Sequence, residues 1–314
     1  MKLRQRPYSR DERKNMKKIL GFGPLFVIIA ALLWSFDGVL RRGLYTLPPS
    51  VVVFYEHLLG IGILLLLLPK WAPDLKKMTR KEWVAIILVS LFSGALGTIF
   101  YTAALGKVNY IQYSVVVLLQ QLQPIWAISM AAILLKEKVT KNFLVWAILA
   151  LIAAYFVTFK DLTVNLSTGG GTVVAAILAL SAGVLWGSST AASKYVLNKV
   201  SFLTATALRF LIAPIFAFLF IVYFNQVPSL TTLNQSQWIS LILITLSTGM
   251  IALAIYYYGL KKTPARVTTI CELVWPASAI FIDYFYFHKG LSATQILGVA
   301  VLLFSIYKVT SFRK

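Results

Sequence analysis

Apolar residues run along this chain in blocks of about twenty, each closed by a short polar or basic connection. A helix needs ~20 such residues to cross ~30 Å of hydrocarbon. Ten blocks meet that length: Pro24–Leu44, Pro49–Leu68, Trp83–Leu105, Ile111–Leu135, Phe143–Phe159, Thr172–Leu197, Phe202–Phe224, Trp238–Leu260, Val267–Phe287 and Ala293–Thr310. Inside lipid every backbone N–H and C=O has to pair within the chain, so the blocks are predicted to be helices. A membrane barrel would instead show alternating segments of ~10 residues. The pattern therefore predicts an all-α integral membrane protein with ten transmembrane helices and no room for a soluble catalytic domain.

Composition sharpens this reading. Of 314 residues, 59% are hydrophobic and 13% charged, which leaves too little charge to cover a soluble surface. The net charge of +20 would also suit a nucleic-acid binder, but the basic residues cluster beside apolar blocks rather than on a polar domain. Most fall on one side once the N-terminus is put in the cytoplasm. That side holds the leader up to Lys18, then Lys70–Lys81, Lys136–Lys141, Lys194, Lys199, Lys261–Arg266 and the C-terminal Lys and Arg. Arg41, Arg42, Lys107, Lys160 and Lys289 fall outside, and Arg209 falls within a helix. Positive residues stay inside, so both termini are expected in the cytoplasm of a multi-pass cell-membrane protein. The basic face should attract anionic lipid headgroups. The leader has no small-residue cleavage site and reads as a tail rather than a signal peptide. One cysteine, Cys271, and two histidines, His57 and His288, leave no disulfide and no metal site, and no cofactor is expected. Trp71, Trp83, Trp238, Tyr284 and His288 read as an interfacial belt.

The chain also repeats. Shifted by 152 residues, Ala30, Leu33 and Trp34 meet Ala182, Leu185 and Trp186. Shifted by 155, Trp83, Gly94, Tyr101, Leu105 and Lys107 meet Trp238, Gly249, Tyr256, Leu260 and Lys262. The offset returns to 152 where Pro124 and Gln120 meet Pro276 and Glu272. Five helices per half is an odd number, so the second half enters the bilayer inverted, as in transporters whose site lies between repeats near the midplane. The predicted organisation is a basic cytoplasmic tail (1–23), a first five-helix repeat (24–162), a linker (163–171), a second repeat (172–310) and a cytoplasmic C-terminus (311–314). Gly169-Gly170-Gly171 lies in the linker and lacks the Lys-Ser/Thr of a phosphate loop.

Trp34-Ser35 and Trp186-Gly187, the run Tyr101-Thr102-Ala103-Ala104-Leu105 followed by Pro124 and by Leu135-Lys136-Glu137-Lys138, and in the second half Arg209-Phe210, Tyr257-Tyr258-Gly259-Leu260 and Glu272 four residues before Pro276 carry a resemblance. Together, in this order, they resemble the EamA-type repeats of the drug/metabolite transporter superfamily. The resemblance covers Pro24 to Lys308. The first repeat departs from the second in having Glu56-His57 near the position of Arg209, and Lys289 stands where a match to Glu137 is expected. The resemblance implies ten helices and carriage of metabolites, amino acids or drug-like solutes.

Charges inside the bilayer cost at least ~2.5–3.5 kcal/mol on insertion scales, so those that remain face a cavity or a partner. The candidate substrate-binding or coupling residues are Asp37, Glu56, His57, Gln120, Arg209 and Glu272, with Trp34, Tyr101, Trp186 and Tyr256 as aromatic walls. The alternative for Arg209 is a permanent pair with Glu272 or Asp37 that only holds the bundle. No catalytic set is legible: there is no His-Glu-x-x-His and no Ser/Lys or paired-Asp signature. The expected function is a secondary carrier or exporter working by alternating access, with proton coupling through Asp37 or Glu272 as one form. An uncoupled facilitator or exchanger is the alternative, and an intramembrane enzyme on a lipid-linked substrate is the third reading. A monomer suffices for that mechanism, and the sequence leaves a homodimer open.

Overall fold

The computed structural model describes residues 23–107, 116, 119–120, 122–158, 171–285, 288 and 290–311. Among these residues every regular element is helical. We number them α1 (Gly23–Leu44), α2 (Pro49–Leu65), α3 (Arg80–Leu105), α4 (Gln123–Leu134), α5 (Lys141–Thr158), α6 (Val173–Leu197), α7 (Phe202–Tyr223), α8 (Gln235–Lys262), α9 (Ala265–Ile282) and α10 (Ala293–Ser311). Eight of them are long and apolar enough to cross a membrane. α2 makes a ninth if joined to the Leu68–Lys77 segment, which turns away from it by 83°. α4 is shorter, and much of the block expected to precede it lies outside the described residues. So do the expected basic tail and most of the glycine linker.

Side chains are distributed as lipid demands. Leu66 is 81% exposed and Ile133 72%, while small residues such as Ala30, Ala31, Ala150 and Ala154 are buried. Small residues let helices approach closely where lipid supplies no hydrophobic drive between them. Helix α1 packs on α8, α2 on α7, α3 and α4 on α6, and α5 on α10.

Local sequence explains where helices start and break. Thr79 and Glu82 form a reciprocal capping box at the start of α3, and Asn234 and Gln237 form another at the start of α8. Farther along, both helices widen into a π segment, Ser90–Leu96 in α3 and Thr245–Gly249 in α8. These features recur at the offset of 155 that aligns the sequences. In α9 the helix is interrupted after Cys271 and resumes at Val274. Pro276 lacks an N–H and its ring would crowd the carbonyl of Glu272, which instead accepts from Trp275 N at 3.0 Å.

The connections at one end of the bundle carry most of its charge. Asp74 accepts from Ser201 N at 2.7 Å and from Thr204 Oγ1 at 2.9 Å, capping α7. Glu137 accepts from the backbone N–H of Ala265 (2.8 Å) and Arg266 (3.1 Å), capping α9. Lys194 donates to the carbonyls of Leu260 and Lys261 at 2.7 and 2.8 Å. Trp71 corrects the expectation of an interfacial belt. The sharp turn after α2 folds it under the bundle, where it is 3% exposed and donates to Leu64 O at 2.8 Å.

Candidate functional site

One cavity, about 1070 Å³ counted with its mouth, lies between the two halves. Helices α1–α4 line it from the first half and α6–α9 from the second; α5 and α10 contribute none of its lining residues. All ten residues expected from the sequence line it: Trp34, Asp37, Glu56, His57, Tyr101, Gln120, Trp186, Arg209, Tyr256 and Glu272.

The charged groups fall into separate clusters. Arg41 is 3% exposed and its Nε donates to Asp37 at 2.5 Å, while Nη2 donates to Glu56 at 2.7 Å. Thr102 Oγ1 accepts from Arg41 Nη1 at 3.4 Å, and Thr248 donates to Asp37 at 2.6 Å. A cation thus joins carboxylates from α1 and α2, and the π segment of α8 closes over them. Gly249 permits this: a Cβ there would lie 2.9 Å from Glu56 Oε1. The expectation that put Arg41 outside and made Arg209 the only basic residue in the membrane is corrected. α1 continues past Trp34 through Asp37–Leu40 and Arg41–Leu44, so Arg41 lies one turn below Asp37 and faces inward.

Arg209 has a different environment. It donates to Ser93 O at 3.0 Å and to Tyr257 Oη at 3.5 Å, and it has no ion pair among the described residues. The permanent pair with Glu272 or Asp37 is therefore absent there. Ser93 O, left over by the π segment of α3, also accepts from Trp186 Nε1 at 3.2 Å and Thr98 Oγ1 at 3.0 Å. Gly97 makes room for Trp186, since a Cβ would lie 2.6 Å from its Nε1.

Glu272 sits at the interruption of α9. It accepts from Gln123 Nε2 at 2.6 Å and from Tyr256 Oη at 2.8 Å, and no cation pairs with it among the described residues. His57 bonds Val53 O on its own helix at 2.9 Å through Nδ1 and stacks on Phe210 at 4.6 Å. The walls are aromatic: Trp34 lies 5.1 Å from Tyr256, and Tyr101 lies 5.3 Å from Trp186 and 6.2 Å from Trp275. Among the described residues no group of three or more His, Cys, Asp or Glu could hold a metal ion. Such a lining can bind a flat, partly polar solute by stacking and hydrogen bonding.

A family model for the EamA-like transporter family matches residues 21–159 and again residues 173–311. The chain belongs to this family. Known proteins resemble it along nearly its whole length. A riboflavin transporter, ImpX, of Fusobacterium nucleatum is 35% identical over 92% of this chain and 97% of its own. Protein LicB of Haemophilus influenzae is 25% identical over 91% of this chain and 98% of its own. A solved crystal structure at 15% identity aligns with a TM-score of 0.73 over 93% of this chain and 97% of that one, a likeness of fold. Membership of a transporter family and a relative named a transporter support small-molecule transport, and eight helices among the described residues are long and apolar enough to cross a membrane.

The sequence reading missed several lining residues. Ser93, Thr98, Ser189, Thr190, Ser193, Thr248 and Thr269 face the cavity. Hydroxyls are common in membrane helices and bond their own carbonyls, so nothing in the pattern sets these apart. Arg41 did carry a signal, its spacing of four residues from Asp37 on one helix face.

Proposed function

We propose that this protein is a secondary carrier in the cell membrane that moves a flat heteroaromatic metabolite of the riboflavin kind by alternating access. The observation that carries the proposal is the cavity itself, walled by aromatic rings from both halves and holding few charges free to meet a charged solute. The 35% identity to a protein named a riboflavin transporter supports the cargo class.

The architecture in this reading is ten helices in two inverted five-helix repeats, 24–162 and 172–310, with a short linker between them and both basic termini in the cytoplasm. Support comes from packing that maps onto itself when the halves are exchanged. α1 on α8 becomes α6 on α3, while α2 on α7 and α5 on α10 map onto themselves. Substrate then meets the two repeats at the midplane, and rocking of one against the other exposes it to each face in turn. One chain holds both halves, so a monomer is sufficient.

Glu272 is the group we assign to coupling. Asp37 and Glu56 share Arg41 as their counter-ion, whereas Glu272 faces the cavity with neutral donors only. A carboxyl so placed can trade a proton for a conformational change. The uncoupled facilitator remains the competing reading. Riboflavin uptake by proteoliposomes separates the two, since an imposed inward proton gradient is expected to drive accumulation above equilibrium. Glu272→Gln should abolish that accumulation while leaving riboflavin exchange at equal pH on both sides. Equal uptake with and without the gradient would leave a facilitator, and recovery of a chemically altered flavin would point to an enzyme.

A further inference from the structure

The cavity contains a set of polar atoms that the clusters above do not use. Gln120 is 2% exposed, faces the cavity, and neither its Oε1 nor its Nε2 has a partner among the described residues. The same holds for Arg209 Nε, Thr269 Oγ1 and Trp275 Nε1. Buried polar groups are normally satisfied, so each such atom in a binding cavity calls for an explanation. The contrast with the repeat partner of Gln120 is instructive. Glu272 has both carboxylate oxygens engaged, one by Gln123 and one by Tyr256.

The backbone of Gln120 is also held in place. A Cβ on Gly183 would lie 3.2 Å from Gln120 O and 3.3 Å from its Cα, so α6 presses directly on this residue. Trp186, three residues after Gly183, packs with Tyr101, Trp275 and Leu119 in one cluster. Gln120 thus follows a residue of the aromatic cluster in the chain and lines the same cavity as Tyr101, Trp186 and Trp275. A carboxamide presents a donor and an acceptor side by side, which complements a ring edge carrying N–H beside C=O. Trp275 Nε1 and Arg209 Nε add donors only, so the whole set asks for a solute with more acceptors than donors.

We infer that Gln120 reads the cyclic imide edge of a planar ring, its Oε1 accepting the ring N–H and its Nε2 donating to the neighbouring carbonyl, with the ring lying against Tyr101, Trp186 and Trp275. The cargo class narrows to heterocycles with a pyrimidinedione-type edge, a group that flavins and pteridinediones share. This inference rests on the carrier reading above and adds to it the residue that selects the cargo.

The test uses the purified full chain and compares Kd for riboflavin and N3-methylriboflavin, and for 1-methylpteridine-2,4-dione and its 1,3-dimethyl form, so that N3 carries the single ring N–H of each parent. Methylation removes the ring N–H and breaks the two-point pairing. The wild type should then prefer the N–H form of each pair by roughly tenfold or more. Gln120→Leu and Gln120→Ala, which remove both the acceptor and the donor, should bring that ratio close to one. A ratio taken within one protein does not depend on how much of the preparation is folded, and the wild-type ratio needs no variant at all. A wild type indifferent to N3-methylation, or variants that keep its preference, would overturn the assignment, even if riboflavin is carried. If the wild type discriminates between the pteridinediones but ignores riboflavin, the edge-reading role of Gln120 stands and the flavin cargo falls. Binding of neither pair overturns both.

Discussion

Arg41 decides how many charges the cavity offers. It holds Asp37 and Glu56 at 2.5 and 2.7 Å, so three buried charges behave as one unit of net charge −1. Removing only the cation leaves two carboxylates facing each other without compensation, a change that costs about 3–5 kcal/mol for buried pairs. Arg41→Gln is therefore expected to lower the melting temperature of the purified protein sharply. The triple change Asp37→Asn, Arg41→Gln, Glu56→Gln should recover most of the loss, because neutral groups of similar shape can hydrogen-bond in its place. Equal melting of the single and triple variants would show that the three do not act together. At this scale the sequence was informative where a charge interrupts an apolar block, as at Asp37, Glu56, Arg209 and Glu272. It misled at Arg41, because a basic residue at the end of a block, beside Arg42, has the same pattern as an external loop.

Helices in this molecule are shaped by where neighbours touch. Gly259 on α8 meets α1 so closely that a Cβ would lie 2.8 Å from Val27 Cγ2 and 2.9 Å from both Gly23 O and Val27 N. Two of those atoms are backbone and cannot rotate aside, so Gly259→Ala has to separate the helices. Overpacking of this kind costs about 1–3 kcal/mol. Gly62 on α2 has nothing within 4 Å of the same position and is exposed. Gly62→Ala is expected to keep or raise stability, by up to about 1 kcal/mol, since it stiffens the unfolded chain and meets no neighbour. Thermal unfolding of the two variants side by side checks the contrast, and equal losses would show that the α1–α8 approach is loose. Eight helices among the described residues fall on apolar blocks expected from the sequence, because the thickness of a bilayer sets the length of both. The interruptions were only half legible. Pro276 announced the break in α9, but the paired π segments of α3 and α8 have no residue signature beyond Gly94 and Gly249. The bend after α2 arises where Leu66 and Leu67 leave the helix just before Pro69, inside a run too apolar to show an end.

At the scale of the whole molecule, the contact at Gly259 has a counterpart at the opposite end. Ala104 occupies the repeat position of Gly259, and Ala175 and Ala179 occupy those of Gly23 and Val27. All three alanines are fully buried in one cluster between α3 and α6. α1 thus meets α8 near the basic end of the bundle, and α3 meets α6 near the other. If the halves are inverted copies that rock about the cavity, a wedge at one contact should favour opening at that end alone. A cysteine in place of Ser189, which lines the cavity, reports this in a background where Cys271 is replaced by alanine. Ala104→Leu is expected to raise its labelling by a membrane-impermeant maleimide from outside the cell and lower it from the cytoplasmic face. Gly259→Val should do the reverse. Both wedges favouring the same face would rule out two gates related by repeat exchange, and a loss of labelling from both would mean that these contacts hold the cavity open rather than shut.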